Sequence, residues 1–176
     1  MDQKNVIHLL EVFENKNNIF MVMEYIPRGD LYCLLKESQK QSLSEDFLRK
    51  IFKQIVEGMI YIHGQGVLHR DIKLDNILID NKDQIKICDF GISRPLPNKK
   101  MSEQSGTPAF MAPEIIAGEG YEGFGSDVWS LGVVFYCLVA GTLPFRGNSA
   151  QELNQSILGG VYNNEFKVIK YYFFYL

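Results

Sequence analysis

The chain has 176 residues, 46% of them hydrophobic and 22% charged, with a formal net charge of −3. That is the profile of a soluble globular domain with enough apolar residues for a core, and so small a charge gives no electrostatic ground for nucleic acid or an anionic membrane as a partner. No apolar run approaches the ~18 residues of a spanning helix, and the opening MDQKNVIHLLEVF lacks the basic-then-apolar order of a leader peptide.

In chain order, the apolar runs 7–13 and 19–26 flank an Asn-rich turn and predict a β-hairpin. Pro27 to Asp30 breaks the second strand, and Asp30 can cap a short helix through Leu31, Leu34 and Leu35. Residues 44–62 form the clearest helix, with Ser44 as cap, Glu45 and Asp46 in its first turn, and Gly64 and Gly66 beyond it. Its apolar residues fall in two rows, Phe47-Ile51-Ile55-Met59 and Leu48-Phe52-Val56-Ile60, a stripe wide enough to pack on two neighbours. The stretch LHRDIKLDNILID (68–80) then interleaves polar residues with Leu and Ile. Two short strands, NILID and QIKICDF, are expected around the NKDQ turn.

Residues 92–125, rich in Gly, Pro and Ser, predict a long structured loop, a feature that is usually functional in a compact domain. A helix at 126–140 is apolar around nearly its whole circumference and should be buried on all sides. A shorter helix at about 149–158 precedes the terminal KVIKYYFFYL. The sum is a mainly helical α+β arrangement. The cysteines Cys33, Cys88 and Cys137 have no metal-ligand or disulfide spacing and read as reduced thiols at apolar positions of a cytoplasmic protein.

Chemistry concentrates in an ordered set of motifs: His69-Arg70-Asp71 with Asn76 downstream, Asp89-Phe90-Gly91, and Ala112-Pro113-Glu114, with GTPAF before the last and SDVWSLGV after it. Each short motif alone is weak, but together and in this order the chain resembles the eukaryotic-type protein kinase family. Lys73 and Thr107 resemble the serine/threonine branch, and GTPAFMAPE and GTLPF are similar to calcium/calmodulin-dependent and related kinases.

The resemblance implies transfer of the ATP γ-phosphate to a protein Ser/Thr hydroxyl, chemistry that consists mostly of positioning and charge neutralisation. Asp71 would accept the hydroxyl proton, and Lys73 would balance charge on the transferred group. Asn76 and Asp89 would hold Mg²⁺ through hard oxygen ligands. Met23 would be the gatekeeper, Glu24 to Ile26 the hinge against adenine, Asp30 a ribose contact and Leu78 the floor of the cleft. His69 and His63 are expected to be structural, and Asp127 to tie the catalytic-loop backbone. Glu103 stands where many kinases carry a phosphorylated residue, so its carboxylate could pair with Arg70 without modification, with Ser102 and Ser105 as phosphoacceptors beside it.

The match covers only part of a kinase domain. On this reading 1–26 are the end of the N-lobe and the hinge, 27–166 part of the C-lobe, and 167–176 a divergent tail. These residues contain no Gly-rich loop and no strand Lys with its helix Glu partner, and Glu114 lacks the late-lobe Arg that usually pairs with it. The expectation is therefore a Ser/Thr kinase impaired as the chain stands, with a protein substrate and a possible regulatory protein. The alternative is a non-catalytic kinase-like scaffold, and the long loop with its Gly-Thr-Pro weighs against a small-molecule kinase.

Overall fold

The computed structural model describes residues 3–38 and 43–163. The tail at 167–176 lies outside them. The hairpin forms as β1 (Leu9–Glu14) and β2 (Ile19–Met23), antiparallel with Val12 opposite Met21 and a register shift between Leu9 and Glu11. The Asn15 side chain closes its turn by accepting from the backbone N–H groups of Asn17 and Asn18. The second strand stops at Met23, short of the expected 26, and 24–26 run on as irregular chain.

Asp30 caps α1 (Leu31–Glu37), its carboxylate accepting from Cys33 N at 2.7 Å. Ser44 does the same for α2 (Glu45–Gly64) through Phe47 N. The first expected row of α2 holds, and the second holds except at Ile60. Ile51, Ile55 and Met59 are buried with Gln54, Gly58 and Ile62, and Phe52 meets Phe135 at 4.3 Å, whereas Ile60 is 66% exposed. Gly58 is required there, because a Cβ would lie 2.8 Å from Ile87 Cδ1 and 3.0 Å from Asn5 O.

Next come β3 (Val67–Leu68), a one-turn 3-10 helix (Leu74–Asn76), β4 (Ile77–Ile79) and β5 (Ile85–Ile87), with β4 and β5 antiparallel as expected. The long 92–125 region is ordered by short pieces: β6 (Arg94–Pro95) pairs with β3, Met101 bridges Tyr121, a 3-10 turn spans Pro108–Phe110, and α3 covers Pro113–Ala117. Helices α4 (Gly125–Ala140) and α5 (Ala150–Leu158) follow, the latter capped by Ser149.

One core joins these elements: Leu31 from α1, Ile51, Ile55 and Ile62 from α2, Ile72, the isoleucines of β4 and β5, and Val134 of α4. Each buried aliphatic side chain contributes about 1.5–3 kcal/mol. Burial of α4 on all sides does not hold, because Val128 is 59% exposed and the buried face runs through Ser126, Asp127, Ser130, Val133, Val134, Cys137 and Leu138. Nor do all cysteines fill apolar positions; Cys33 is exposed, and all three are free thiols. The hairpin protrudes, with every residue of both strands exposed. No described helix is long and apolar enough to cross a membrane.

Candidate active site

The loop between β3 and β4 carries the polar residues of LHRDIKLDNILID, and its shape is imposed by one carboxylate. Asp127, at the start of α4 and 1% exposed, accepts from His69 N at 2.9 Å, Arg70 N at 2.8 Å and His63 Nε2 at 2.9 Å. Burial alone would raise its pKa, but these donors outweigh burial and hold it below the ordinary aspartate value. The bonds also hold Arg70 at φ +71, a backbone state that costs a non-glycine residue about 1–3 kcal/mol. His63 stacks on Phe124 at 4.1 Å. His69 is fully buried, with Nε2 3.0 Å from Cys88 O and its ring against Phe90, and burial pushes its pKa down. Both histidines thus have structural partners, as expected.

The frame brings four of the expected site residues together. Asp71 Oδ1 accepts from Thr107 Oγ1 at 2.7 Å and Thr107 N at 3.1 Å. Its Oδ2 lies 2.9 Å from Lys73 Nζ and 3.1 Å from Asn76 Nδ2, which also donates to Asp71 O. Lys73 Nζ donates in turn to Thr107 Oγ1 at 3.0 Å. Burial raises the Asp71 pKa, but Lys73, Thr107 and Asn76 more than offset it, and the net value is lowered. For Lys73 burial acts downward and the Asp71 pair overcomes it, so its pKa is raised. The two stand as an ion pair at neutral pH.

Asp89 follows β5 with φ +63; its side chain is exposed and Oδ1 accepts from Gly91 N at 3.2 Å. The resemblance would have Asn76 and Asp89 hold a divalent cation, and their donor atoms are hard oxygens. The amide nitrogen of Asn76 is engaged on Asp71, which leaves its oxygen and the Asp89 carboxylate as hard ligands. Among the described residues no group of three or more His, Cys, Asp or Glu is placed to hold a metal, so a cation here would take its other ligands from phosphate oxygens and water.

Arg70, its side chain 2% exposed, reaches Glu103 through Nη2–Oε2 at 2.8 Å. This is the pairing expected from the position of Glu103, whose pKa is lowered chiefly by that bond. The segment is held elsewhere too: Met101 and Tyr121 exchange backbone bonds of 2.8 Å, Tyr121 Oη donates to Glu103 O, and Gln104 Nε2 donates to Ile116 O. Gly106, at φ +117, lets this segment approach, since a Cβ would meet Arg70 O at 2.6 Å. Ser102 and Ser105 flank the pair in sequence.

The remaining expected residues make no hydrogen bond to this cluster among the described residues. Met23, at the end of β2, is 45% exposed. Glu24 spends its N–H on His8 O and its carboxylate on His8 N and Lys86, and Ile26 is half-buried in the irregular segment that follows. Asp30 bridges Leu78 through the backbone, so the segment after β2 and the β4 strand adjoin. Glu114 sits in the first turn of α3 with no ion pair among the described residues.

One anchor was missed from sequence. Asn5, fully buried, donates to Gln54 Oε1 and Ile85 O, while Gln54 donates to Asp83 O, so the segment before β1 is pinned to α2 and β5. Asn5 directly before the apolar Val6 and Ile7 was the only signal in the sequence.

The family description "Protein kinase domain" matches residues 1–171. Human NUAK family SNF1-like kinase 2 is 44% identical over 163 residues, which cover 92% of this chain and 26% of that protein. The rice CBL-interacting protein kinase 15 is 40% identical over 161 residues (89% and 37%), and the Arabidopsis CBL-interacting serine/threonine-protein kinase 5 is 40% identical over 158 residues (87% and 35%). The chain thus spans about a quarter to just over a third of the curated relatives it matches. With its ordered motifs and a match over nearly its whole length, the chain belongs to the protein kinase domain family.

Proposed function

We propose that this chain is part of an ATP- and Mg²⁺-dependent protein serine/threonine kinase. The observation that carries the reading is Asp71, ionised and held on both oxygens by Thr107, Lys73 and Asn76; in this reading Asn76 and Asp89 supply oxygen ligands to Mg²⁺. Mg·ATP, when bound, supplies the phosphoryl group that is transferred. Asp71 orients the attacking hydroxyl and takes its proton by exchanging one of its four present donors for that hydroxyl, since a carboxylate accepts about four hydrogen bonds and these fill it. Lys73 offsets negative charge as the hydroxyl oxygen attacks. Thr107 fixes the carboxylate rotamer and links the substrate-side segment to the catalytic loop, which suits an extended peptide carrying Ser or Thr. Met23, Glu24, Ile26, Asp30 and Leu78 form the nucleotide side in this reading, supported by the adjacency of Asp30 and Leu78.

Glu103 keeps Arg70 paired and its segment ordered without a phosphate. We further propose that these residues, which contain neither a Gly-rich loop nor its strand Lys, transfer phosphate poorly alone. Two relatives are named for interaction with CBL proteins; for this chain we carry over only a protein regulatory partner.

The test is transfer of radiolabelled phosphate from Mg·ATP to Ser/Thr peptides by a longer product that supplies the loop and Lys. Asp71→Asn should lower turnover by about 10²–10⁴-fold in a chain that still folds. Turnover that survives the substitution, or nucleotide binding that is indifferent to Asp89→Ala, overturns the assignment.

A further inference from the structure

A small cavity of about 10 Å³ lies under the segment that carries Thr107, lined by Arg70 and Ser126 together with Ile72, Phe110, Ile115 and Asp127 among others. Arg70 and Ser126 are 6% and 4% exposed, and each carries a buried polar atom with no hydrogen-bond partner, Nε and Oγ respectively. Of their other polar atoms, Arg70 Nη2 is engaged on Glu103, Arg70 N on Asp127, and Ser126 O with Ser130 Oγ. A guanidinium N–H left bare in the interior is costly, and native proteins leave few such groups unpaired.

The chemistry of the two atoms defines the guest. Arg Nε–H can only donate, whereas the serine hydroxyl both accepts and donates. What fits must accept from Arg70 Nε, exchange a hydrogen bond with Ser126 Oγ in either direction and be no larger than a single water, for which a cavity of this size is just sufficient. The buried Asp127 carboxylate among the lining residues disfavours an anion. We propose that the cavity is a binding site for one ordered water molecule that bridges Arg70 Nε and Ser126 Oγ. The water is a second tie between the start of α4 and the catalytic loop, alongside Asp127, and gives a partner to Nε of the arginine that holds Glu103. The inference does not depend on the phosphotransfer reading.

Two measurements decide it. A crystal structure of the chain, at a resolution that shows ordered water, should contain one density peak within about 3.2 Å of both atoms. An empty cavity, or an anomalous peak there after a bromide soak, overturns the proposal. Among variants, Ser126→Val and Ser126→Thr add the same bulk and differ only in the hydroxyl. The Val form is expected to melt about 2–4 °C below the Thr form, because it removes the water's partner and leaves Arg70 Nε bare. A Val form that melts at or above its Thr counterpart means that the cavity is dry.

Discussion

Asp127 and Glu103 are two carboxylates that hold the catalytic loop under opposite conditions. Asp127 is buried, so its three donors act at low dielectric with little screening. Its native pKa is depressed, so the stability it contributes is complete above the ordinary carboxylate range and is lost as the pH falls through that lowered value. Asp127→Asn is expected to cost about 2–4 kcal/mol in urea unfolding at neutral pH and to flatten the acid limb of stability against pH. An acid limb as steep as that of the parent would contradict this. Glu103 is 61% exposed on its side chain, so its pair with Arg70 is open to screening by salt. Glu103→Ala should lower the Tm, because it strips the buried Arg70 Nη2 of its partner, while amide exchange quickens across residues 101–107, and high salt should quicken the same amides in the parent chain. Protection that is unaffected by either change would show that the backbone ties of Met101 and Tyr121 hold the segment by themselves.

At the scale of elements, α2 shows which part of a periodic pattern can be trusted. Its caps, its length and the row Ile51-Ile55-Met59 were legible, because helix period and capping are local chemistry. The end of the second row was not, because whether Ile60 meets a neighbour depends on where α4 lies, and α4 meets that row at Phe52 through Phe135 instead. Ile55→Ala is accordingly expected to destabilise the chain by about 2–5 kcal/mol, and Ile60→Lys to change stability by no more than about 0.5 kcal/mol, both read from denaturant midpoints at constant slope. Comparable losses at the two positions would refute the orientation of α2. The misjudged burial of α4 has the same origin: Val128 lies on a face that no described element covers.

For the molecule as a whole, the exposed hairpin is the least protected feature. Val12 and Met21, paired across it, are 52% and 61% exposed, and β2 carries no charged residue. Uncharged apolar strands of this kind associate with one another in solution. The double change Val12→Glu and Met21→Lys places an opposite-charge pair at this cross-strand position. It should lower the concentration-dependent light scattering of the purified chain while moving its unfolding midpoint little. Scattering equal to that of the parent would place the sticky surface elsewhere.

The motif order, the caps at Asp30 and Ser44, the hairpin and the polar loop on its apolar frame were all decided by residues close together in the chain, where spacing and side-chain chemistry act directly. The resemblance built on those motifs extended to the Arg70–Glu103 pair, 33 residues apart, and to the Asp127 tie, 57 residues from Arg70. The packed fold alone decided that Asn5 is buried on Gln54, that Ile60 and Val128 face outward, and that Arg70 and Ser126 share one cavity. Each of these depends on where a distant element comes to rest. Local pattern states what a residue can do; only the packing of separate elements states what it will meet.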